Sequence, residues 1–71
     1  MFKTKNAAGN LPAKSKLRPA EIAGYLDISL ATVYVLIANG GLPAERFGRQ
    51  YRIPRDRFLA WEAAQLLAHH G

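Results

Sequence analysis

Ser29-Leu-Ala-Thr-Val-Tyr-Val-Leu-Ile-Ala-Asn39, then Gly40-Gly41-Leu42-Pro43, then Arg46-Phe-Gly-Arg-Gln-Tyr-Arg-Ile53, is the stretch that decides how this chain folds. Ser29 offers a side-chain oxygen to the orphan N–H groups of a helix start, and Ile28 before it can act as a hydrophobic staple. Val33, Leu36 and Ile37 share one face at helical spacing, leaving Ala31, Val35 and Ala38 opposite, with Thr32 and Tyr34 on the flanks. Gly40 and Gly41 end the helix, because glycine takes the left-handed cap conformation without steric cost, and Pro43 forbids continuation.

Upstream, Leu17-Arg18-Pro19-Ala20-Glu21 opens an earlier helix with proline at the first helical position, where its missing N–H is no loss. Ile22, Ala23 and Leu26 form its apolar face, and it ends near Asp27. Arg18 is a poor N-cap, so packing is expected to hold this helix. Only Asp27-Ile28-Ser29 separates the two helices, which is the spacing of a helix-turn-helix. Residues 1–16 carry Lys3, Lys5, Lys14 and Lys16 among Gly9, Asn6, Asn10 and Pro12 without helical or strand period, and are expected to form a flexible basic arm before a folded domain over 17–69.

Downstream, the pattern changes to period two about Gly48. A three-residue loop Gly48-Arg49-Gln50 puts Phe47, Tyr51 and Ile53 on one inward face with Arg46 and Arg52 outward. A two-residue Gly48-Arg49 turn is also permitted, but it places Arg46 beside Tyr51, so the longer loop is preferred. Pro54 precedes a last helix from Arg55 to His69, whose Phe58, Trp61 and Gln65 are expected to close the core. A second apolar stripe of Leu59, Ala63, Leu66 and Leu67 faces elsewhere and is a candidate surface for self-association. The fold class expected is mainly α with a small β-hairpin.

At 71 residues the chain makes at most one domain, and one that buries only about 60% of the surface its unfolded form exposes. The absence of cysteine removes disulfide frameworks and thiolate zinc sites, and His69 and His70 fall at the frayed end of the chain; no metal or cofactor is expected. Five scattered carboxylates, with Asp56 and Glu62 on different helix faces, offer little for catalysis, so no enzyme is expected. No apolar run reaches the roughly 18–20 residues that span a bilayer, and Met1-Phe2-Lys3 leads into polar residues rather than a signal core; a cytoplasmic home is the default. Lys plus Arg number 10 against 5 for Asp plus Glu, a net charge of +5 with pI ≈ 10.1. On so small a domain that balance favours a polyanionic partner, nucleic acid before membrane.

With these residues laid out, the segment from Leu17 to Trp61 resembles the excisionase-like branch of the MerR-type winged helix-turn-helix family. The likeness rests on Leu17-x-Pro19-x-Glu21-x-Ala23-x-x-Leu26, on Ile28-Ser29-x-x-Thr32-Val33-Tyr34-x-Leu36-Ile37, on Gly41-Leu42-Pro43-Ala44 and on Gly48-Arg49-x-Tyr51-Arg52-Ile53-Pro54-Arg55. It implies three helices plus a two-stranded wing, with Thr32 to Val35 entering the major groove of double-stranded DNA while the Gly48-Arg49 wing reaches backbone or minor groove. It also implies a recombination directionality factor that bends attachment-site DNA for an integrase, or a transcriptional regulator of a mobile element.

Leu30 and Val35 stand where that family usually carries arginine or another polar residue. Alanine and valine offer only apolar contact to a base edge, so specificity is expected to lean on Thr32, Tyr34 and the deformability of the DNA. Arg46, Arg49, Arg52, Arg55 and Arg57 against Asp56 make a net +4 within twelve residues, and with Gln50 they form the expected backbone-gripping set. Tyr34 reads equally well as a core aromatic or a phosphate donor. The spacing of Phe47, Tyr51, Phe58 and Trp61 suits a core rather than base stacking. An adaptor that binds an integrase or repressor through apolar helix faces is the expectation from another functional class.

Overall fold

A computed structural model describes residues 11–70, the side chains of the last two excepted. In chain order the elements are β1 (Lys16–Leu17), α1 (Pro19–Leu26), α2 (Leu30–Asn39), β2 (Glu45–Phe47), β3 (Gln50–Pro54) and α3 (Arg55–His70). The chain turns through 107° between α1 and α2, within the range of a helix-turn-helix pair. Among the described residues no single helix is long and apolar enough to cross a membrane.

The α2 boundaries follow the sequence signals. Ser29 Oγ accepts the Thr32 N–H at 3.1 Å, and the N–H groups of Gly40 and Leu42 both reach the Leu36 carbonyl. Gly41 takes φ 75, which the glycine permits. At the end of α1 Asp27 supplies the left-handed residue instead, φ 60, and Ile28 N–H closes on the Ala23 carbonyl at 3.0 Å. The start of α1 departs from expectation, because Arg18 is the cap residue yet the helix is not held by packing alone. Glu21 Oε1 reaches back to accept the Arg18 N–H at 2.7 Å, half of a capping box, and Lys14 Nζ meets the other oxygen at 2.9 Å.

Leu17, Ile22, Val33, Ile53 and Phe58 are fully enclosed, with Leu11 and Leu42 nearly so. Tyr25 packs edge-on to Phe58 at 5.6 Å, Trp61 stacks on Phe58 at 6.0 Å, and the Trp61 indole N–H caps the Gly40 carbonyl at 3.1 Å. The expected Phe58 and Trp61 face therefore does close the core. Leu59 is not part of a free stripe; it is half-buried against that core, while Ala63, Leu66 and Leu67 are exposed.

Two further expectations are corrected. The expected two-stranded hairpin is present as β2 and β3, but a third strand joins it in the order β1-β3-β2, because residues 11–16, expected in a flexible arm, are built into the fold. Leu11 is buried, Lys16 and Leu17 pair with Pro54 and Ile53, and Arg55 binds this segment twice, its N–H to the Ser15 carbonyl and its Nε to the Pro12 carbonyl. The rest of the expected arm lies outside the described residues. The second correction is the hairpin register. Phe47 pairs with Gln50, Arg46 with Tyr51 and Glu45 with Arg52, so the loop is the two-residue Gly48-Arg49 turn. Gly48 takes φ 64 and Arg49 does not go positive, the pattern of a type II′ turn. A one-residue slip exchanges the faces, so Arg46 shares the core side with Tyr51 and Ile53, and Phe47 points out. Arg46 nonetheless stays exposed, its Nε turned back to the Gly48 carbonyl.

Burial alone would raise the Glu21 carboxyl, but the Arg18 N–H bond, then Lys14, outweigh it and hold the group below its ordinary value of 4.5. A depressed folded pKa means stability that is present above the unfolded value and lost as pH falls through the folded one. Glu21→Ala is expected to cost about 1 kcal/mol at neutral pH, measured by urea unfolding, with the gap to wild type closing as pH drops below the ordinary carboxylate range. A gap that stays constant through acid contradicts the cap.

Candidate nucleic-acid interface

The exposed start of α2 and the arginine hairpin meet at one residue. Tyr51, half-buried on the inner face of β3, lies 5.9 Å from the Tyr34 ring at a tilt of 55°, and the Arg46 guanidinium carbon sits 5.9 Å from the centre of the Tyr51 ring. Tyr34 is thus not a core residue. Its ring braces the hairpin against α2 while the side chain stays 44% exposed. Aromatic pairs at this separation contribute beyond their buried area, and a cation over the ring adds to it.

Each arginine of the hairpin is placed differently. Arg46 Nε donates to the Gly48 carbonyl at 2.9 Å, which pins the guanidinium over the turn. Arg52 spends its two terminal nitrogens on the Tyr51 carbonyl and on Gln50 Oε1, both at 2.8 Å, along the outer face. Arg49, in the turn itself, is exposed and has no partner among the described residues. Arg55, by contrast, is half-buried and drawn toward Pro12, away from the set expected to grip a backbone. Glu45, the one carboxylate of the hairpin, is held by Lys16 Nζ at 2.6 Å, which cancels its charge on the outer face. Sequence reasoning missed that pair, since a two-residue strand leaves no pattern to read.

On α2, Thr32 is exposed with its hydroxyl 2.8 Å from Ser29 Oγ, so part of its bonding capacity serves the cap. Ala31, Val35 and Ala38 are exposed, Val35 by 56%, and form the apolar outer face expected from the sequence, and Leu30 at the start of the helix is exposed as well. A second apolar feature was not foreseen. Leu26, Leu36, Trp61, Gln65 and Leu66 line an open groove of ≈ 330 Å³ with Glu62 at its margin. The Glu62 carboxylate there accepts the Tyr25 hydroxyl at 3.1 Å. Burial, then that bond and the Glu62 charge, push the Tyr25 phenol above its ordinary value of 10.0, so it remains a neutral donor linking α1 to α3. Among the described residues no group of three or more His, Asp or Glu side chains is placed to hold a metal ion.

Comparison with known proteins agrees with this architecture. Residues 17–67 match the family described as helix-turn-helix domain, and the chain belongs to it. It is 53% identical over 36 residues to the uncharacterized protein YvgK of Bacillus subtilis, which covers 51% of this chain and 12% of that protein. It is 49% identical over 37 residues to a Mycobacterium tuberculosis protein titled "Putative DNA-binding protein MT0521", covering 52% of this chain and 47% of that one. The chain thus matches less than half the length of either relative. No solved structure matches it.

If Tyr51 is the joint, a double-mutant cycle between Tyr34→Ala and Tyr51→Ala should give a coupling of about 0.5–1.5 kcal/mol in thermal or urea unfolding. Strict additivity would show that hairpin and helix are braced by something else.

Proposed function

We propose that this helix-turn-helix chain is a winged DNA-binding protein of architectural type, serving as the excisionase of a phage or integrative element. The observation that carries the reading is the Tyr34–Tyr51–Arg46 contact series, which makes one surface of a groove-sized helix and a basic ribbon. On this reading the start of α2, with Thr32 and Tyr34, lies in the major groove, and the hairpin is the wing. Arg46, Arg49 and Arg52 grip phosphates, positioning the protein without carrying sequence information. Val35 and its apolar neighbours meet thymine methyl groups, and selectivity comes mainly from the shape and stiffness of the duplex. Catalysis has no part in it.

The excisionase role follows from pairing weak base readout with strong backbone contact, which suits a protein that shapes DNA for an integrase. The nearest alternative is a transcriptional regulator of the same element. A footprint with bending analysis on the protein's own element separates them, since phased sites at a recombination junction indicate the former and a promoter operator the latter. A protein-binding role is favoured by a different observation, the groove beside Leu36 and Trp61 together with the exposed Leu66 and Leu67. Those residues serve as the surface for an integrase, or for a second copy seated on an adjacent DNA site, where neighbouring occupancy offsets part of the association cost.

With Arg55 turned inward, three hairpin arginines remain. Neutralising roughly three phosphates gives a slope of log K against log salt near −2.7 on duplex DNA. Arg49→Ala should weaken binding to all sequences alike and flatten that slope by about 0.9. A slope near zero, or normal binding by Arg49→Ala, would remove the hairpin from the interface. On α2, Val35→Glu should abolish binding by bringing a carboxylate toward phosphates; if duplex affinity survives while a protein complex is lost, the adaptor reading replaces this one.

A further inference from the structure

Phe47 is the aromatic that the fold does not use. Tyr25, Phe58 and Trp61 form one cluster of rings and Tyr34 and Tyr51 another, so every other described aromatic has a ring partner. Phe47 has none and is 58% exposed. It is the last residue of β2, opposite Gln50 and directly before the Gly48-Arg49 turn, on the outward face of the sheet.

Its neighbours say what it meets. Arg46 precedes it on the opposite face with its guanidinium pinned to the Gly48 carbonyl, Arg49 follows in the turn, and on the same outward face lie Arg52 beside Gln50 and Glu45 paired with Lys16. An apolar protein partner seated on Phe47 would have to strip water from these guanidinium groups without pairing them, which is costly. Duplex DNA supplies phosphates to them and, between its base pairs, an apolar slot for the ring.

We propose that Phe47 is a wedge that enters a base step of duplex DNA, with Arg49 in the turn and Arg52 on the same face holding the flanking phosphates. The inference rests on the DNA-binding reading and adds to it the residue that deforms the duplex. Inserting an apolar side chain unstacks one step and kinks the axis, and pyrimidine–purine steps such as TA and CA yield most easily. Selectivity that α2 cannot supply through hydrogen bonds is thereby supplied at a step the ring opens.

The test uses the full chain and a duplex that wild type selects from a random pool at low salt, labelled in turn at each step with 2-aminopurine. Wild type is expected to raise fluorescence at one pyrimidine–purine step and to bend the duplex in circular-permutation electrophoresis. Phe47→Ala should lose both signals and about tenfold in affinity, with the salt slope unchanged because no phosphate contact is removed. Phe47→Leu should restore most of the bend. Phe47→Gln, which keeps length and solubility, should behave as Phe47→Ala, and thermal melts verify that all three fold. If Phe47→Ala and Phe47→Gln bend and unstack as wild type does, the wedge is overturned and the DNA reading stands. If wild type selects no duplex, both fall together.

Discussion

Strand β3 is paired on both edges, to β1 through Leu17 and Ile53 and to β2 through three residue pairs, and the placement of the hairpin follows from that. With Ile53 sealed in the core, the pleat leaves Tyr51 on the inner side and sends Arg52 out. The inner position then brings Tyr51 to Tyr34 and to Arg46, so that one strand sets both the tilt of the hairpin and its distance from α2. The same strand explains why residues 11–17 are ordered. Its free edge would leave backbone groups unpaired, and Lys16 and Leu17 cover it. Arg55, the first residue after the strand, fastens that cover through the Ser15 and Pro12 carbonyls.

The helices were legible because each rests on local chemistry. Ser29, Gly40-Gly41 and the Val33, Leu36 and Ile37 face act within a few residues of where they stand, and the structure uses them as read. The hairpin register was not legible for a physical reason. Gly48 supports either loop length, and the two differ only in which of Phe47 and Arg46 faces the core. An apolar count favours Phe47. Tyr51 faces inward in both, so its contact with Tyr34, seventeen positions away in the chain, does not choose between them, and no period within the hairpin reports the choice. β1 was invisible for a similar reason, since two residues carry no alternation and Leu11 is a lone apolar side chain in a polar stretch. Of the site residues, the loop position of Arg49 was foreseen, while the inward turn of Arg55 depended on that unseen strand.

The small core accounts for the manner in which polar groups are used. A domain of this size encloses few side chains completely, and the described residues leave no buried side-chain polar atom unpaired. Instead, contacts at the margin of the core do double service. The Trp61 indole caps the glycine end of α2, Tyr25 joins α1 to α3 through Glu62, and Glu21 closes the first turn of α1 while holding Lys14. Each is modest alone, of the order of 1 kcal/mol. Together they fix the angle between helices that a larger protein would fix by packing.

That economy also shapes how the proposed interface divides its labour. Guanidinium groups restrained by the Gly48 and Tyr51 carbonyls lose little freedom on meeting phosphates, so the hairpin is prepared for backbone contact before any ligand arrives. Backbone contact is indifferent to sequence, and the apolar face of α2 has few hydrogen bonds to offer a base edge. In the proposed complex discrimination then comes from what the duplex can be made to do rather than from what it displays. In the proposed complex a ribbon braced at its base, through Tyr34 and Tyr51, and charged at its end would transmit force to the DNA instead of bending away from it. On the proposed reading the brace between helix and hairpin is therefore as much part of DNA deformation as any residue that touches the duplex.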